Sequence, residues 1–351
     1  MLYAGAAASC STPSSEVDAG DVMGVFDRDG GPSDAGIVAI AQPSASARRS
    51  KDAGVTLAPV ERPAPPEGQT CVAARGAPMD PPKRVMGRPA CRGFEVTEWR
   101  APDGSPRYAC TFVPPDIDKR GPLPLVVFFH GDTPGLDDPS SLGRLTNLRE
   151  HANKFDLGAG RPGFILVAIQ GRALSRKGGA GASFDTDYTE PDNLDWLATD
   201  HFVDALVARN IVDRSRVYSV GSGWGGAMAV TYAMLDAHRI AAFAAFAPEP
   251  PTAEWTCPGP PPPGIVLYKS CDAITSCSEV ESWLLSREKT RAETTAMRLS
   301  DTGLGEPNCA IGPACGKKRG ENNHALWPKT REKDVLKFLA AHSLSVSDEP
   351  K

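Results

Sequence analysis

From about Gln69 to Ser345 the chain alternates short apolar runs with longer stretches of helical spacing. Arg107-Tyr-Ala-Cys-Thr-Phe-Val113 alternates like a strand and stops at Pro114-Pro115. Leu123-Pro-Leu-Val-Val-Phe-Phe129 and Phe164-Ile-Leu-Val-Ala-Ile169 are continuous apolar runs of strand length, the pattern of strands covered on both faces of a parallel sheet. Arg216–Val220 and Gly264–Tyr268 read as two further strands. Between them, 194–209, 226–237, 279–285 and 332–341 read as helices. Strands alternating with helices predict an α/β domain with a doubly wound, mostly parallel sheet.

Residues 11–68 are different. They are rich in Ala, Ser, Gly, Asp and Pro, with few large apolar side chains. Such a composition buries too little apolar area to offset the entropy of ordering, so it predicts a disordered tether. One domain over 69–345 and a disordered tail over 346–351 complete the expected organisation. The 34 glycines and 33 prolines, about a fifth of the 351 residues, fall mainly in the tether and in loops. The net charge of −5 comes without a basic block, which argues against nucleic acid as a partner. No window approaches the ~18 uninterrupted apolar residues of a spanning helix.

Nine cysteines change the picture. None forms a C-x-x-C pair, so the usual zinc and redox spacings are absent, and no metal is expected. Cys10 closes a small, apolar stretch that resembles the end of a bacterial lipoprotein signal, whose cysteine is acylated. Ala7 stands three residues before it, where Leu is favoured, and the basic n-region is missing. Residues 1–10 are read either as a truncated signal remnant with Cys10 lipidated, or as leader with a plain free cysteine. The other eight cysteines are even in number and their connectivity stays open, with Cys271/Cys277 and Cys309/Cys315 as plausible loop staples. Disulfides point to an exported protein, secreted or in the cell envelope; reduced thiols in a cytosolic protein are the alternative.

Candidate chemistry sits where the strands end, as expected of a parallel sheet. His130-Gly131-Asp132 follows the first core strand. Gly221-Ser-Gly-Trp-Gly-Gly226 follows the Arg216–Val220 strand and opens a helix. Lys269-Ser-Cys-Asp272 follows Gly264–Tyr268, and His324 precedes the last helix. The order is that of an α/β-hydrolase: oxyanion loop, nucleophile elbow, acid, histidine.

The stretch from about Arg107 to His342 resembles the secreted polyhydroxybutyrate depolymerase and feruloyl esterase branch of the α/β-hydrolases. The residues that carry the resemblance are Pro124–Gly131, the Asp200-His-Phe-Val-Asp-Ala-Leu-Val helix, Arg216-Val-Tyr218, Gly225-Gly-Ala-Met-Ala, Ala244-Ala-Phe-Ala-Pro248 and His324-x-x-Trp327-Pro328. The resemblance implies a single-domain serine-esterase fold without a cofactor. It implies an ester-bearing polymer or small ester as substrate; membrane contact is expected only through an anchor at Cys10, on the reading in which that cysteine is lipidated. A monomer is expected.

One position departs from the family's Gly-x-Ser-x-Gly-Gly. Gly221, Gly225 and Gly226 register with the glycines, which places Gly223 where the nucleophile belongs. Glycine has no side chain with which to attack a carbonyl. Slipping the register to Ser222 puts Val220 and Trp224 at positions that need small residues, which argues against it. The nucleophile's strained backbone suits glycine, so the fold is expected to survive the change.

Asp272 is read as the triad acid rather than a capping turn, and His324 as its partner rather than a surface histidine. The backbone N–H groups of Asp132 and Trp224 are the candidate oxyanion donors. Trp224 either obstructs the acyl pocket or stacks on a ring or sugar. Asp185, Asp187, Tyr188 and Asp192 form an acidic loop, read as solvated in preference to a calcium site. The expectation is therefore an esterase-like protein, inactive or weakened. A weak esterase using Ser222 or a His324-activated water is one alternative, and a non-catalytic polymer- or glycan-binding surface protein is another.

Overall fold

The apolar run Leu123–Phe129 forms a strand with no polar face, and its neighbours explain why. In the computed structural model, which describes residues 57–62, 64–65, 70–73, 76–79, 86–131, 147–174, 182–300, 308–310 and 315–345, eight strands form one sheet. They are β1 (Glu95–Arg100), β2 (Pro106–Phe112), β3 (Leu123–Phe129), β4 (Ile165–Ile169), β5 (Val212–Ser222), β6 (Ala242–Phe246), β7 (Gly264–Lys269) and β8 (Thr294–Leu299). The spatial order is β1-β2-β4-β3-β5-β6-β7-β8. The β1–β2 and β2–β4 pairs are antiparallel and the remaining pairs are parallel.

Alternate residues of β3 enter opposite cores. Leu125, Val127 and Phe129 pack with Phe202 of α3 (Leu194–Ala208), Met228 of α4 (Trp224–Leu235) and Leu284 of α5 (Cys277–Lys289). Val126 and Phe128 pack with Trp327 and with Val335 and Leu336 of α7 (Glu332–Ala340). Helices therefore cover both faces, as the apolar runs require. Among the described residues, the single turns α1 (Ile117–Arg120) and α2 (Leu148–His151) and the short helix α6 (Lys317–Ala325) are the other α-helices.

The five expected strands are present with small shifts at their ends. The largest shift is in β5, which begins at Val212 through the polar run Asp213-Arg-Ser-Arg216. β1, β6 and β8 were not expected. β6 is Ala-Phe-Ala-Ala-Phe, whose small residues give little strand propensity; it is held by pairing on both sides. Helix α5 starts earlier than its apolar spacing suggests, because Ser276 and Glu279 form a capping box.

The disulfides correct one expectation. Cys271 pairs with Cys315 and Cys277 with Cys309, so the short staples Cys271/Cys277 and Cys309/Cys315 do not form. The two bridges are nested and join separate segments rather than closing local loops. Cys71–Cys257 and Cys91–Cys110 are the other two. Upstream, Val60 pairs with Leu344 and Arg62 donates to Ile240 O at 2.8 Å, so residues 57–62 are strapped along the C-terminal segment. Cys10, Asp132, residues 1–56 of the leader and tether, and the tail 346–351 lie outside the described residues. Among the described residues no helix is long and apolar enough to cross a membrane.

Candidate active site

The sharp turn between β5 and α4 sets the site. Gly223 stands between them at φ 54°, ψ −126°, a conformation that side-chain-bearing residues adopt only under strain. Its N–H donates to Phe246 O at 2.9 Å and its carbonyl accepts from Ala227 N at 3.1 Å. The flanking glycines are fixed by contact. A Cβ on Gly221 would overlap the Gly225 carbonyl, and one on Gly225 would overlap the carbonyl oxygens of Phe129 and His130. A Cβ on Gly226 would lie 3.2 Å from Phe246 O. Strand and helix can approach this closely only in the register that leaves residue 223 at the tip.

Ser222 is the last residue of β5 and is paired with Phe246 of β6. Its Oγ lies against Gly131, 3.4 Å from where a Cβ on that glycine would be. Neither its hydroxyl nor any other group of Ser222 is hydrogen-bonded to His324. Trp224 opens α4 and is half-buried, so its N–H belongs to the first turn of that helix. His130 is buried; its Nε2 accepts from Gly171 N at 3.0 Å and its Nδ1 lies 2.7 Å from Gly131 O. That imidazole braces the end of β3 against the segment after β4.

Asp272 and His324 come together although 52 residues separate them. His324 Nδ1 is 3.1 Å from Asp272 Oδ2, and both side chains are buried. The other carboxylate oxygen, Oδ1, accepts from Ile274 N at 2.8 Å and Thr275 N at 2.9 Å. One acid thus shapes its own turn and orients the imidazole. With Nδ1 directed at the acid, Nε2 is the nitrogen left to act as a base. Trp327 anchors the chain beyond the histidine. Its Nε1 donates to Glu332 Oε1 at 2.8 Å, and its ring meets Phe128 and Phe246 edge-on.

Two surface features border this pair. Ile274 and Leu326, each two residues from a member of the pair, are 53% and 60% exposed. A groove of about 510 Å³ lined by Glu249, Pro250, Ser278, Glu279, Ser282 and Trp283 opens beside the acid turn, where Thr275 Oγ1 lies 3.4 Å from Glu249 Oε2.

Sequence reasoning missed the polar network just beyond the carboxyl end of β4, and the acidic loop is not wholly solvated as expected. Asp195, fully buried, accepts from Arg107 Nη2 at 2.6 Å and Arg172 Nη2 at 2.8 Å. Burial by itself raises that carboxyl's pKa, but the two guanidiniums overcome it and hold it well below the usual range. Asp185 is buried beside it and accepts from Met79 N at 2.8 Å, whereas Asp192 is exposed and bonded to the Tyr188 hydroxyl at 2.5 Å. No signal in the apolar pattern marks such a network. Among the described residues the one grouping with metal-ligand spacing is Cys277, Glu281 and Cys309, and its two sulfurs are joined to each other.

No protein-family model and no curated protein matches the chain. Solved structures do. A thermostable esterase aligns at a TM-score of 0.50 and 17% identity over 72% of this chain; the chain spans 64% of that esterase's length. Thermogutta terrifontis esterase 2 phosphorylated by paraoxon aligns at 0.47 and 15% identity, over 73% of this chain and 95% of that one. A Pyrobaculum calidifontis esterase aligns at 0.45 and 16% identity, over 74% and 87%. At 17% identity the likeness to the first of these is one of fold, and the fold is that of the α/β-hydrolases.

Proposed function

We propose that the chain is an exported ester-recognising protein of the depolymerase and feruloyl esterase type, with its covalent step removed at Gly223. The observation that carries this reading is the elbow itself. Gly223 holds the strained tip conformation, and Gly221 and Gly225 admit no side chain on either side of it. Asp272 and His324 form an oriented acid–base pair, and Gly223 brings no hydroxyl to the tip for it to activate. Four disulfides fit an oxidising compartment.

The test is hydrolysis of p-nitrophenyl acetate and butyrate by the purified chain and its variants. Wild type should turn over at or near background, and Gly223→Ser should raise kcat/KM by ~10²-fold or more, within the range that removal of one triad member costs. Ser222→Ala should leave wild type unchanged. Turnover in wild type that Ser222→Ala abolishes would sink the proposal. Turnover that survives Ser222→Ala but not His324→Gln would assign the reaction to a histidine-activated water. The groove beside the acid turn, with an indole among carboxylates and hydroxyls, favours one further reading: retention of a glycan or polymer without product release. Pull-down on insoluble xylan and polyester tests it.

A further inference from the structure

Helix α6, which delivers His324, is poorly equipped to hold itself in place. Its nine residues are Lys-Lys-Arg-Gly-Glu-Asn-Asn-His-Ala, with no large apolar side chain and a glycine in the middle. A helix this short is marginal alone and normally relies on an apolar face. Its buried residues are Gly320, Asn323 and His324, which share one face at spacings of three and four. That whole face meets the acid turn. A Cβ on Gly320 would lie 2.5 Å from Ala273 Cβ and 2.7 Å from Ala273 N, so only glycine permits the approach. Asn323 Nδ2 donates to Cys271 O at 2.6 Å, and His324 meets Asp272. At the helix start, Cys315, next to the N-cap Gly316, is bridged to Cys271, the residue before the acid.

We propose that the Cys271–Cys315 bridge and the Asn323 carboxamide are positioning groups that hold the His324 imidazole on Asp272 in place of apolar burial. The bridge fixes the start of α6 and the carboxamide fixes its last turn, both to the same residue, Cys271. The proposal deepens the functional reading above and rests on Asp272 and His324 being the site's acid–base pair.

The test uses the full chain and a readout that needs no turnover. The His324 Nδ1 proton bonded to Asp272 gives a downfield proton NMR resonance, identified by its loss in His324→Gln. Near-UV circular dichroism reports the packed core. In Cys271→Ser/Cys315→Ser the resonance should vanish, and in Asn323→Ala it should lose at least about half its intensity. In Cys71→Ser/Cys257→Ser, which removes a bridge away from the pair, it should persist. The near-UV signal should remain native in all three. The proposal is overturned if the resonance keeps wild-type intensity in either of the first two variants, or is absent from wild type. Global loss of the near-UV signal in the Cys271/Cys315 variant overturns it too, because the bridge would then be a general staple. In a Gly223→Ser background, removing the Cys271–Cys315 bridge should lower kcat ~10²-fold or more with little change in KM. An inert Gly223→Ser protein with the stated NMR pattern would refute the ester reading and leave the positioning role standing.

Discussion

Two different constraints select glycine at the elbow, and they separate on mutation. At Gly223 the constraint is dihedral: φ 54° is open to any residue at a cost of order 1–3 kcal/mol. At Gly225 the constraint is contact, because a Cβ would overlap two backbone carbonyls that cannot rotate away. Gly223→Ala should therefore lower stability by about 1–3 kcal/mol and leave a native fold. Gly225→Ala should cost distinctly more, about 3 kcal/mol or beyond, or fail to fold. Urea unfolding followed by tryptophan fluorescence compares them. Equal losses would contradict the assignment of residue 223 to the tip. The register of the glycines was legible in the sequence; the reason for each was not, since the carbonyls facing Gly225 come from the last residue of β3 and the one after it, almost a hundred residues away.

At the scale of elements, charge is buried at two places with opposite consequences for pH. Asp195 at the start of α3 is held ionised by Arg107 and Arg172, so its contribution is present above its unfolded value near 4 and is lost as pH falls. Asp195→Ala strands two guanidiniums in the core and should cost about 3–5 kcal/mol at pH 7. Asp236, at the end of α4, behaves in the reverse sense. Burial raises its carboxyl above the usual range against the partial relief of Arg239, and neighbouring Asp200 is raised with it, so the contribution of this pair to stability is greatest below about pH 4 and is lost as pH rises. Asp236→Asn should flatten that decline. Chemical denaturation at pH 4.5, 6 and 7.5 reads it, and an unchanged slope would show that Asp236 does not titrate there. Neither network was legible beforehand. A buried aspartate and an exposed one look alike in a linear chain, and only the packing of α3 and α4 on the sheet distinguishes them.

For the whole molecule the disulfides are the decisive long-range links. Cys71–Cys257 closes a loop of 186 residues and ties the segment before the sheet to the one before β7. Peptide mapping without reduction should recover 71–257, 91–110, 271–315 and 277–309. Recovery of Cys271–Cys277 or Cys309–Cys315 peptides would disprove the nested arrangement. Mass spectrometry of the mature N-terminus separates a lipidated Cys10 from a plain thiol.

The sequence by itself determined the layered α/β architecture. An apolar run such as Leu123–Phe129 has no place except between two layers of helices, and the glycines of the elbow declare a turn too tight for side chains. It also placed a glycine, with no side chain, at residue 223, the tip between β5 and α4. What only the tertiary structure decided is how Asp272 and His324 meet. A short polar helix carries no hydrophobic signal, and its place depends on a bridge and hydrogen bonds to residues some 50 positions away. Local propensity fixes what each segment can be, whereas pairings of this kind are selected by the energy of the assembled fold.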